Sequence, residues 1–393
     1  MAIRTVITGM ARTPMGGMQG ALSEVTAPEL GAAAIGSAVS RSGLSANDID
    51  EAIMGCVLPA GLGQAPARQA AVKAGLPINV PATTVNKMCG SGMKALMLAH
   101  DSILAGSASA VVAGGMESMS NAPHILPKSR TGMKLGHGSV VDHMFFDGLE
   151  DAYEKGRLMG SFAEECAIKY GFSRSEQDEF AIESLKRAQK AIGSGAFVRE
   201  IEPVTVKIKK IEHRVNTDEQ PGNAQLDKIP HLRPAFSKDG TVTAVNSSSI
   251  SDGAAALVLM SEESASARNI EPVAFLMDHA SHAQDPAWFT TAPVTAIREV
   301  LTKVGWEKED VGLFEVNEAF AVVTMAAMRE LNIPHERVNI RGGACALGHP
   351  IGASGARIVV TLIHAMQDKG VKRGIASLCI GGGEATAMAI ELA

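Results

Sequence analysis

The stretch Val85-Asn86-Lys87-Met88-Cys89-Gly90-Ser91-Gly92-Met93-Lys94-Ala95-Leu96 places a cysteine directly before three small residues and an apolar run. Small residues are unfavourable inside a helix but suit its first turn, so a buried helix is predicted to begin here. The positive end of the helix dipole favours the nucleophilic thiolate, and free N–H groups of the first turn could bind an oxyanion. The same pattern also fits a buried structural cysteine followed by a glycine turn.

Composition limits the classes of protein to consider. The chain has 393 residues, enough for two or three domains of ~100–200 residues each. Its residues are 46% hydrophobic and 20% charged, which allows a large core and argues against disorder. A net charge of −6 without a long basic run argues against nucleic acid as a partner. Residues 3–8 resemble a first strand rather than a signal peptide, and no apolar run approaches the ~20 residues of a membrane span.

The cysteines argue for a reducing compartment. They form an odd set without the spacing of a disulfide framework: Cys56, Cys89, Cys166, Cys345 and Cys379. Free thiols of this kind are typical of the cytoplasm, where we expect the protein to act. No CxxC or HxxxH spacing supports a zinc site, so we expect no metal.

Strands and helices alternate in the first third, which predicts a sheet covered by helices on both faces. The predicted strands lie at residues 5–9, 49–57 and 108–115. The predicted helices lie at residues 27–41, at 65–74 and, after the cysteine, within 86–105.

The middle of the chain has a different character. From residue 119 to 248 it is richer in Lys, His, Pro and Met and is broken by glycines, so we interpret it as an inserted loop domain. A helix at 173–192 and a basic strand at 204–210 are expected within it. The sheet pattern then returns with a strand at 252–259. The last third repeats the rhythm of the first, with strands at 311–316 and 374–380 and helices at 319–331 and 351–364.

The two ends of the chain resemble each other in order and spacing. Residues 90–92 open one helix and residues 353–355 open another. We infer an internal duplication whose two helix starts face one another, with a site at the junction. The predicted division is a first half at 1–118 completed by 249–270, an inserted domain at 119–248, and a second half at 271–393.

Three reactive side chains, Cys89, His349 and Cys379, lie at glycine-rich turns. Taken singly, His349 also suits a cap or core histidine, Cys379 a core cysteine, and Asn317-Glu318 an N-cap pair. Together they suit acyl transfer. A thiolate that attacks a thioester exchanges one sulfur for another, and an imidazole can take the thiol proton. A second thiolate could remove a proton beside an incoming thioester, and the resulting enolate would need its own oxyanion donors.

Four motifs in order now give a resemblance to thiolases, in particular to the biosynthetic acetyl-CoA acetyltransferase branch. It extends over essentially the whole chain. The motifs are 86–92, Asn317-Glu318-Ala319-Phe320-Ala321, the glycine-rich run 342–357 that contains His349-Pro350, and Cys379-Ile380-Gly381-Gly382-Gly383.

The resemblance implies a role for each motif residue. Cys89 matches the acyl-carrying nucleophile, His349 the base that activates it, and Cys379 the acid/base that moves the α-proton. Asn317 matches the residue that holds a water in one oxyanion hole. The backbone N–H groups of Cys89 and Gly381 would form the second hole.

The substrate-binding residues transferred from the family are Met159, Ser248, Ala319 and Phe320. Met159 and Ser248 fall in loop segments that line the pantetheine tunnel. The implied reaction joins two acetyl-CoA into acetoacetyl-CoA and CoA, or runs in reverse, as a step of fatty acid metabolism. The implied fold is an α/β, five-layered α-β-α-β-α duplication with an inserted, CoA-binding loop domain, in homodimers or homotetramers. The substrates are coenzyme A thioesters, with no tightly bound cofactor and no nucleic-acid or membrane partner.

Several positions depart from the family pattern and leave CoA affinity and acyl-chain preference open. Arg341 and Cys345 stand where many members have Asn and Ile, and Ser249 replaces a common glycine. Phe162 and Glu165 interrupt a Met-Gly-x-Thr-Ala-Glu-Asn pattern. The run Asp218-Glu219-Gln220-Pro221 is not followed by the arginine that family members often have there.

Two alternatives remain beside the acetyltransferase. One is a 3-ketoacyl-CoA thiolase of broader or longer chain length, although Cys-Gly-Ser-Gly replaces the Cys-Ser-Ser-Gly common in that branch. The other is a non-catalytic acyl-CoA-binding relative, which the intact Cys89, His349 and Cys379 argue against.

Overall fold

The computed structural model describes residues 3–393. The strands in this part of the chain are β1 (Thr5–Arg12), β2 (Gly16–Gly17), β3 (Glu51–Gly55), β4 (Ala82–Val85), β5 (Ala110–Ser118), β6 (His124–Ile125), β7 (Val141–Asp142), β8 (Val204–Ile208), β9 (Ile211–Val215), β10 (Ser251–Ser261), β11 (Ala274–Ala283), β12 (Leu313–Val316), β13 (Arg373–Ile380) and β14 (Glu384–Leu392). The helices are α1 (Ala27–Arg41), α2 (Pro66–Lys73), α3 (Ser91–Leu104), α4 (Met159–Tyr170), α5 (Arg174–Gly193), α6 (Gln220–Asn223), α7 (Glu262–Ala267), α8 (Ala292–Val304), α9 (Ala321–Leu331), α10 (Ala344–Leu347) and α11 (Ser354–Lys369).

One mixed sheet runs through the molecule in the order β12-β13-β14-β11-β1-β10-β5-β3-β4, with β2 paired to β10. Its two halves are joined where β1 meets β11 in a short antiparallel register, Thr5 opposite Leu276 to Ile7 opposite Ala274. Strands β3, β4 and β5 are mutually parallel, as are β12 and β13. The seam at β1 and β11 therefore unites two half-sheets of similar design.

Successive side chains of the strands point alternately to opposite faces of the sheet, and the molecule is layered accordingly. On β10, Ala256 and Val258 face a core shared with α1 and α2, whereas Leu257 and Leu259 face a second core shared with α3 and α11. A third core lies on the far side of β13 and β14, against α8 and α9. Because side chains alternate across a strand, each half-sheet can bury both faces. The predicted α-β-α-β-α layering is confirmed.

The central layer depends on two glycines. Helices α3 and α11 begin side by side, and a Cβ on Gly355 would lie 2.4 Å from the backbone nitrogen of Met93. A Cβ on Gly92 would lie 2.9 Å from the backbone nitrogen of Ala356. Only glycine permits so close an approach of the two backbones. The crossing places the turn before α3 beside the loop before α11.

Some helices have the limits predicted from the sequence, whereas others near the site begin or end at different residues. Helix α1 has the predicted limits, and α3 begins at Ser91 within the predicted small-residue turn. Helix α9 begins at Ala321 rather than at residue 319, which leaves Phe320 extended, with φ −141° and ψ 150°. Helix α11 covers 354–369 rather than 351–364.

The middle segment packs over one side of the layers. Its strands form two separate hairpins, β6 with β7 and β8 with β9, and none of its described residues between 119 and 250 adds a strand to the large sheet. Helix α4 packs with α9 in one buried cluster, and α5 packs with α10 in another. In residues 3–393, no helix has both the length and the apolar character needed to cross a membrane.

Candidate active site

A cavity of about 370 Å³ opens where the middle segment meets the two helix starts. Residues from both halves of the chain line it, including Cys89, His349 and Cys379. The other predicted site residues that line it are Gly381, Met159, Ser248, Ala319 and Phe320. The structure thus brings together side chains that lie far apart in sequence. Asn317 is not among the lining residues; it directly follows β12, and its backbone is bonded to Ser377 of β13, two residues before Cys379.

Cys89 sits in a tight turn between β4 and α3. The preceding residue, Met88, has a left-handed backbone with φ +47°, which is unfavourable for a side chain of its size. Hydrogen bonds hold this conformation: the Met88 N–H donates to Asn86 Oδ1 at 3.0 Å, and Ser91 Oγ accepts from the Lys87 N–H at 2.8 Å. The turn fixes the direction of the Cys89 side chain toward the cavity.

Burial, rather than the helix start, decides the protonation of Cys89. Burial raises the pKa of the Cys89 thiol to about 11, although the backbone N–H groups of Gly381 and of Cys89 itself lower it. The low dielectric around the sulfur thus outweighs the helix dipole, which favours the thiolate. The thiol is neutral near pH 7 and needs a base. The two N–H groups that reach the sulfur are those the resemblance assigned to the second oxyanion hole.

His349 is oriented by a serine. Its Nδ1 lies 2.6 Å from Ser354 Oγ, and that hydroxyl donates to the Pro350 carbonyl at 3.0 Å. Since the hydroxyl has one proton, Nδ1 must be the donor to Ser354. Nε2 then carries a lone pair, and it is buried without a hydrogen-bond partner among the described residues. Burial and the charge of Arg357 lower the pKa of His349 to about 3, so the ring is neutral and its free Nε2 can accept a proton.

Cys379 is the second thiol of the cavity. It lies at the end of β13, is 1% exposed, and is followed by the turn at 381–383. Burial raises its pKa well above the ordinary value, and the neighbouring Cys89 raises it further. Each thiolate disfavours the other, so the pair can carry one negative charge far more easily than two.

Asn317 offers unpaired polar atoms. Its backbone N–H donates to the Ser377 carbonyl at 2.9 Å, which ties it to β13. Its side chain is 1% exposed, and neither Oδ1 nor Nδ2 finds a hydrogen-bond partner among the described residues. Buried amides of this kind commonly bind an ordered water, which suits the role expected for this residue.

Two extended segments form one wall of the cavity. The Ser248 N–H donates to the Ala319 carbonyl at 2.9 Å, and Ser247 pairs with Phe320 in an isolated β-bridge. Met159, at the start of α4, lies opposite, and a Cβ on Gly381 would be 3.3 Å from its Sδ. The resulting channel is mostly apolar, as suits a ligand with an extended, largely apolar arm.

The sequence did not reveal every residue that shapes the site. Glu117 accepts N–H groups from Val57 at 2.9 Å, Leu58 at 3.1 Å and Gly352 at 2.9 Å, and so fastens the His349 loop to the first half-sheet. Ser354 was signalled only by lying in the same glycine-rich motif as His349. No group of three or more metal-ligating side chains occurs in the part of the chain that the structure describes.

Comparisons with known proteins agree with this geometry. The thiolase N-terminal domain model matches residues 5–263, and the thiolase C-terminal domain model matches 270–392. An acetyl-CoA acetyltransferase of Pseudomonas aeruginosa is 50% identical over 387 residues, 98% of each chain. A protein named probable acetyl-CoA acyltransferase in Staphylococcus aureus is 49% identical over 390 residues, 99% of each chain.

A solved structure gives the same answer for the fold. The crystal structure of the Bacillus anthracis acetyl-CoA acetyltransferase superposes with a TM-score of 0.97 at 42% identity, covering 100% of this chain and 99% of that one. Both family models and full-length relatives at about half identity therefore show that this chain belongs to the thiolase family.

Proposed function

We propose that the protein is an acetyl-CoA C-acetyltransferase, which condenses two acetyl-CoA into acetoacetyl-CoA and CoA and catalyses the reverse thiolysis. The observation that carries the proposal is one cavity holding two thiols and a neutral imidazole with a free Nε2. The names of the relatives from Pseudomonas aeruginosa and Bacillus anthracis support it. Two thiols suit a two-stage acyl transfer, whereas hydrolysis needs only one.

The first stage forms the acetyl-enzyme. His349 Nε2 takes the proton of the Cys89 thiol as the sulfur attacks the thioester carbonyl carbon. The carbonyl oxygen becomes an oxyanion, which the backbone N–H groups of Cys89 and Gly381 would stabilise, since these groups reach the Cys89 sulfur. The carbon–sulfur bond to CoA then breaks, the CoA sulfur takes the proton of Cys379, and an acetyl group remains on Cys89 while Cys379 is left as the thiolate. Because both partners begin neutral, no buried ion pair has to exist before the substrate binds.

The second stage forms the carbon–carbon bond. Cys379, as thiolate, removes an α-proton from a second acetyl-CoA. His349 and a water held by Asn317 would stabilise the oxygen of the resulting enolate. The enolate attacks the acetyl carbon on Cys89, and the backbone N–H groups of Cys89 and Gly381 would again stabilise the oxyanion. The Cys89 sulfur leaves as the thiolate and regains the proton that His349 took in the first stage, and acetoacetyl-CoA is released. Thiolysis follows the same steps in reverse.

The channel residues have binding roles in this scheme. Met159, Ser248, Ala319 and Phe320 would contact the pantetheine arm or the acyl group, which are the parts of a CoA thioester that fit an apolar channel. The proposal requires CoA thioesters as substrates and no tightly bound cofactor.

We also propose the domain division 1–118 with 249–270, 119–248 and 271–393, with residues 1 and 2 outside the described part. It is supported by the absence of any strand from described residues 119–250 in the large sheet. Helix α4 of that segment contributes Met159 and Gly160 to the cavity, and α5 packs against α10 shortly before the His349 loop, as a CoA-binding insertion would.

Homo-oligomerisation is a further part of the proposal. Strand β4 ends the large sheet and offers an unpaired edge for a second copy. The segment 126–146 exposes apolar side chains, among them Met133, Leu135 and Val140, which could join two dimers into a tetramer. Light scattering of the purified protein distinguishes monomer, dimer and tetramer.

The free cysteines support a place in the reducing cytoplasm.

A thiolysis assay tests the function. Mixing the protein with acetoacetyl-CoA and CoA should remove the ultraviolet absorbance of the ketoacyl enolate at an enzyme-dependent rate. Cys89→Ala should abolish the reaction, whereas Cys345→Ser, a thiol outside the lining of the cavity, should retain it. Binding of acyl-CoA without turnover would instead support the non-catalytic relative.

A further inference from the structure

Two departures from the family pattern meet in one buried assembly. Phe162, which stands where the family motif has threonine, is 1% exposed and packs edge-on against Phe289 with ring centroids 6.1 Å apart. The guanidinium of Arg157 lies over the ring of Phe162, 3.7 Å from its centroid. Arg157 is held by Glu154 at 2.9 Å and by Glu165, the second departing residue. Phe162 and Glu165 therefore form one assembly, which fixes the position of the Phe162 ring.

A row of aromatic rings continues from Phe162 to the cavity. Phe289 packs against Phe320 at 6.5 Å, and Phe320 packs against Phe236 at 6.0 Å, both in inclined or edge-on geometry. We call the four phenylalanines the aromatic wall. Phe236, Phe289 and Phe320 line the cavity, whereas Phe162 lies behind them. Edge-on pairs at these distances are favourable, so each ring supports the next.

The aromatic wall is fixed at its other end as well. A Cβ on Gly160 would lie 2.3 Å from the ring of Phe236, so this ring rests directly on the backbone of α4. Cys379 belongs to the same buried cluster as Phe162 and Phe320. The aromatic wall therefore borders the cavity that holds both thiols, and a longer acyl chain transferred to Cys89 would have to fit against it.

We propose that Phe162 is a specificity-determining positioning residue, which holds Phe289 against the cavity and restricts the enzyme to short-chain 3-ketoacyl-CoA substrates. This inference rests on the proposed function. A threonine at residue 162 would leave space behind Phe289, and interiors relax partly into such space. Phe289 could then withdraw from the cavity and admit further methylene groups. Phe162 acts through Phe289 and does not itself line the cavity.

The test is a series of thiolysis rates with four-, six- and eight-carbon 3-ketoacyl-CoA. The measured quantity is the ratio of kcat/KM for the eight-carbon substrate to that for the four-carbon substrate. Phe289→Ala should raise this ratio about tenfold or more, since each methylene in an apolar pocket changes kcat/KM ~10- to 200-fold. Phe162→Thr should also raise this ratio, by a smaller factor. Phe162→Leu should raise it less than Phe162→Thr does, because leucine fills more of the space behind Phe289.

A matched control distinguishes an effect of the aromatic wall from an effect of any cavity made in the protein interior. Phe180 is also a buried phenylalanine, but it stacks on His335 at 4.9 Å away from the cavity, so Phe180→Leu should leave the ratio unchanged. The inference is overturned if folded Phe289→Ala and Phe162→Thr variants keep the wild-type ratio, or if the wild type already cleaves the eight-carbon substrate as well as the four-carbon one. A wild-type protein inactive on all three substrates would refute the proposed function itself, which is a different result.

Discussion

Cys89 is the residue at which two electrostatic effects compete. The start of α3 and two backbone N–H groups favour the thiolate, whereas burial favours the thiol and raises its pKa to about 11. His349 shows the matching effect, since burial keeps its imidazole neutral. The resting site therefore holds a neutral acid and a neutral base. Its reactivity therefore depends on how His349 Nε2 is oriented toward the Cys89 thiol, and not on a thiolate–imidazolium ion pair in the resting site.

Ser354 gives that direction and can be tested by itself. In Ser354→Ala the Nδ1 of His349 loses its 2.6 Å partner, so the ring can adopt the other tautomer or rotate. We expect kcat for thiolysis to fall roughly 10- to 100-fold, with a smaller change in KM, since a positioned base contributes about 10² or more to the rate. The measurement is kcat as a function of pH.

Ser42→Ala is the control for this substitution. Ser42 is also buried, and its Oγ donates to the Val39 carbonyl at 2.7 Å, on the far side of the first half-sheet. This variant should retain the wild-type kcat. If Ser354→Ala behaves in the same way, with an unchanged pH profile, Ser354 does not orient His349.

The buried His364 should make the stability difference between the wild type and a variant without this histidine depend on pH. It is buried in α11, neither ring nitrogen has a hydrogen-bond partner in the described residues, and burial together with Arg199 and Arg341 lowers its pKa to about 4. A histidine with a lowered folded-state pKa stabilises the protein above its ordinary pKa of about 6.5, and this contribution is lost as the pH falls. The stability of His364→Leu relative to wild type should therefore increase by about 2 kcal/mol between pH 8 and pH 5. Urea unfolding at both pH values measures the difference, and an equal difference at both would contradict the assignment.

At the level of elements, the site depends on the crossing of α3 and α11. The two helix starts approach through Gly92 and Gly355, and this contact sets the distance between the Cys89 turn and the His349 loop. Glu117 fastens the same loop to the first half-sheet through Gly352. The catalytic geometry is therefore a property of helix packing as much as of individual side chains.

Gly355→Ala tests the crossing. The added methyl group would meet backbone atoms of Met93, which cannot turn aside, so we expect a loss of about 1–3 kcal/mol in the free energy of unfolding, with reduced kcat. Gly36→Ala in α1 is the matched control. Its Cβ would have only an ordinary 3.7 Å contact with the Ala74 carbonyl, so helix propensity should stabilise the protein by about 0.5–1 kcal/mol. Equal thermal melting temperatures for the two variants would show that the crossing tolerates a side chain.

Elements with clear boundary signals could be predicted from the sequence. Helix α1 begins with a capping box between Thr26 and Glu29, so its limits were predicted correctly. Helix α4 has Leu158 at its N-cap and gives no polar start signal, and it was missed. Strand β14 is rich in Ala, Met and Glu, which favour helices, and it forms a strand because β11 and β13 flank it.

The same distinction applies to the candidate site. Cys89, His349 and Cys379 lie in local motifs and could be identified from sequence. The neutral state of Cys89, the hydrogen bond from His349 to Ser354 and the packing of Phe162 on Phe289 depend on tertiary burial. No local pattern carries that information.

At the scale of the whole molecule, the two halves share one central layer. Residues of α3 and α11 pack into a single core with strands from both half-sheets, so neither half can bury its inner face alone. We therefore predict a single cooperative unfolding transition. Both tryptophans, Trp288 and Trp306, lie in the second half of the chain, so their fluorescence reports on that half, whereas far-UV circular dichroism reports on the whole. The two signals should have the same urea midpoint, and a fluorescence midpoint clearly separate from the dichroism midpoint would show that the halves unfold independently.

Mass spectrometry of the protein mixed with acetyl-CoA tests the central claim most directly, namely that Cys89 carries the acyl group in a cavity shared with Cys379. We predict one added acetyl group on the peptide that contains Cys89. It should accumulate further in Cys379→Ser, where condensation is blocked, and be absent in Cys89→Ala. Acetylation that persists in a folded Cys89→Ala variant, or that falls equally in both variants, would contradict the account.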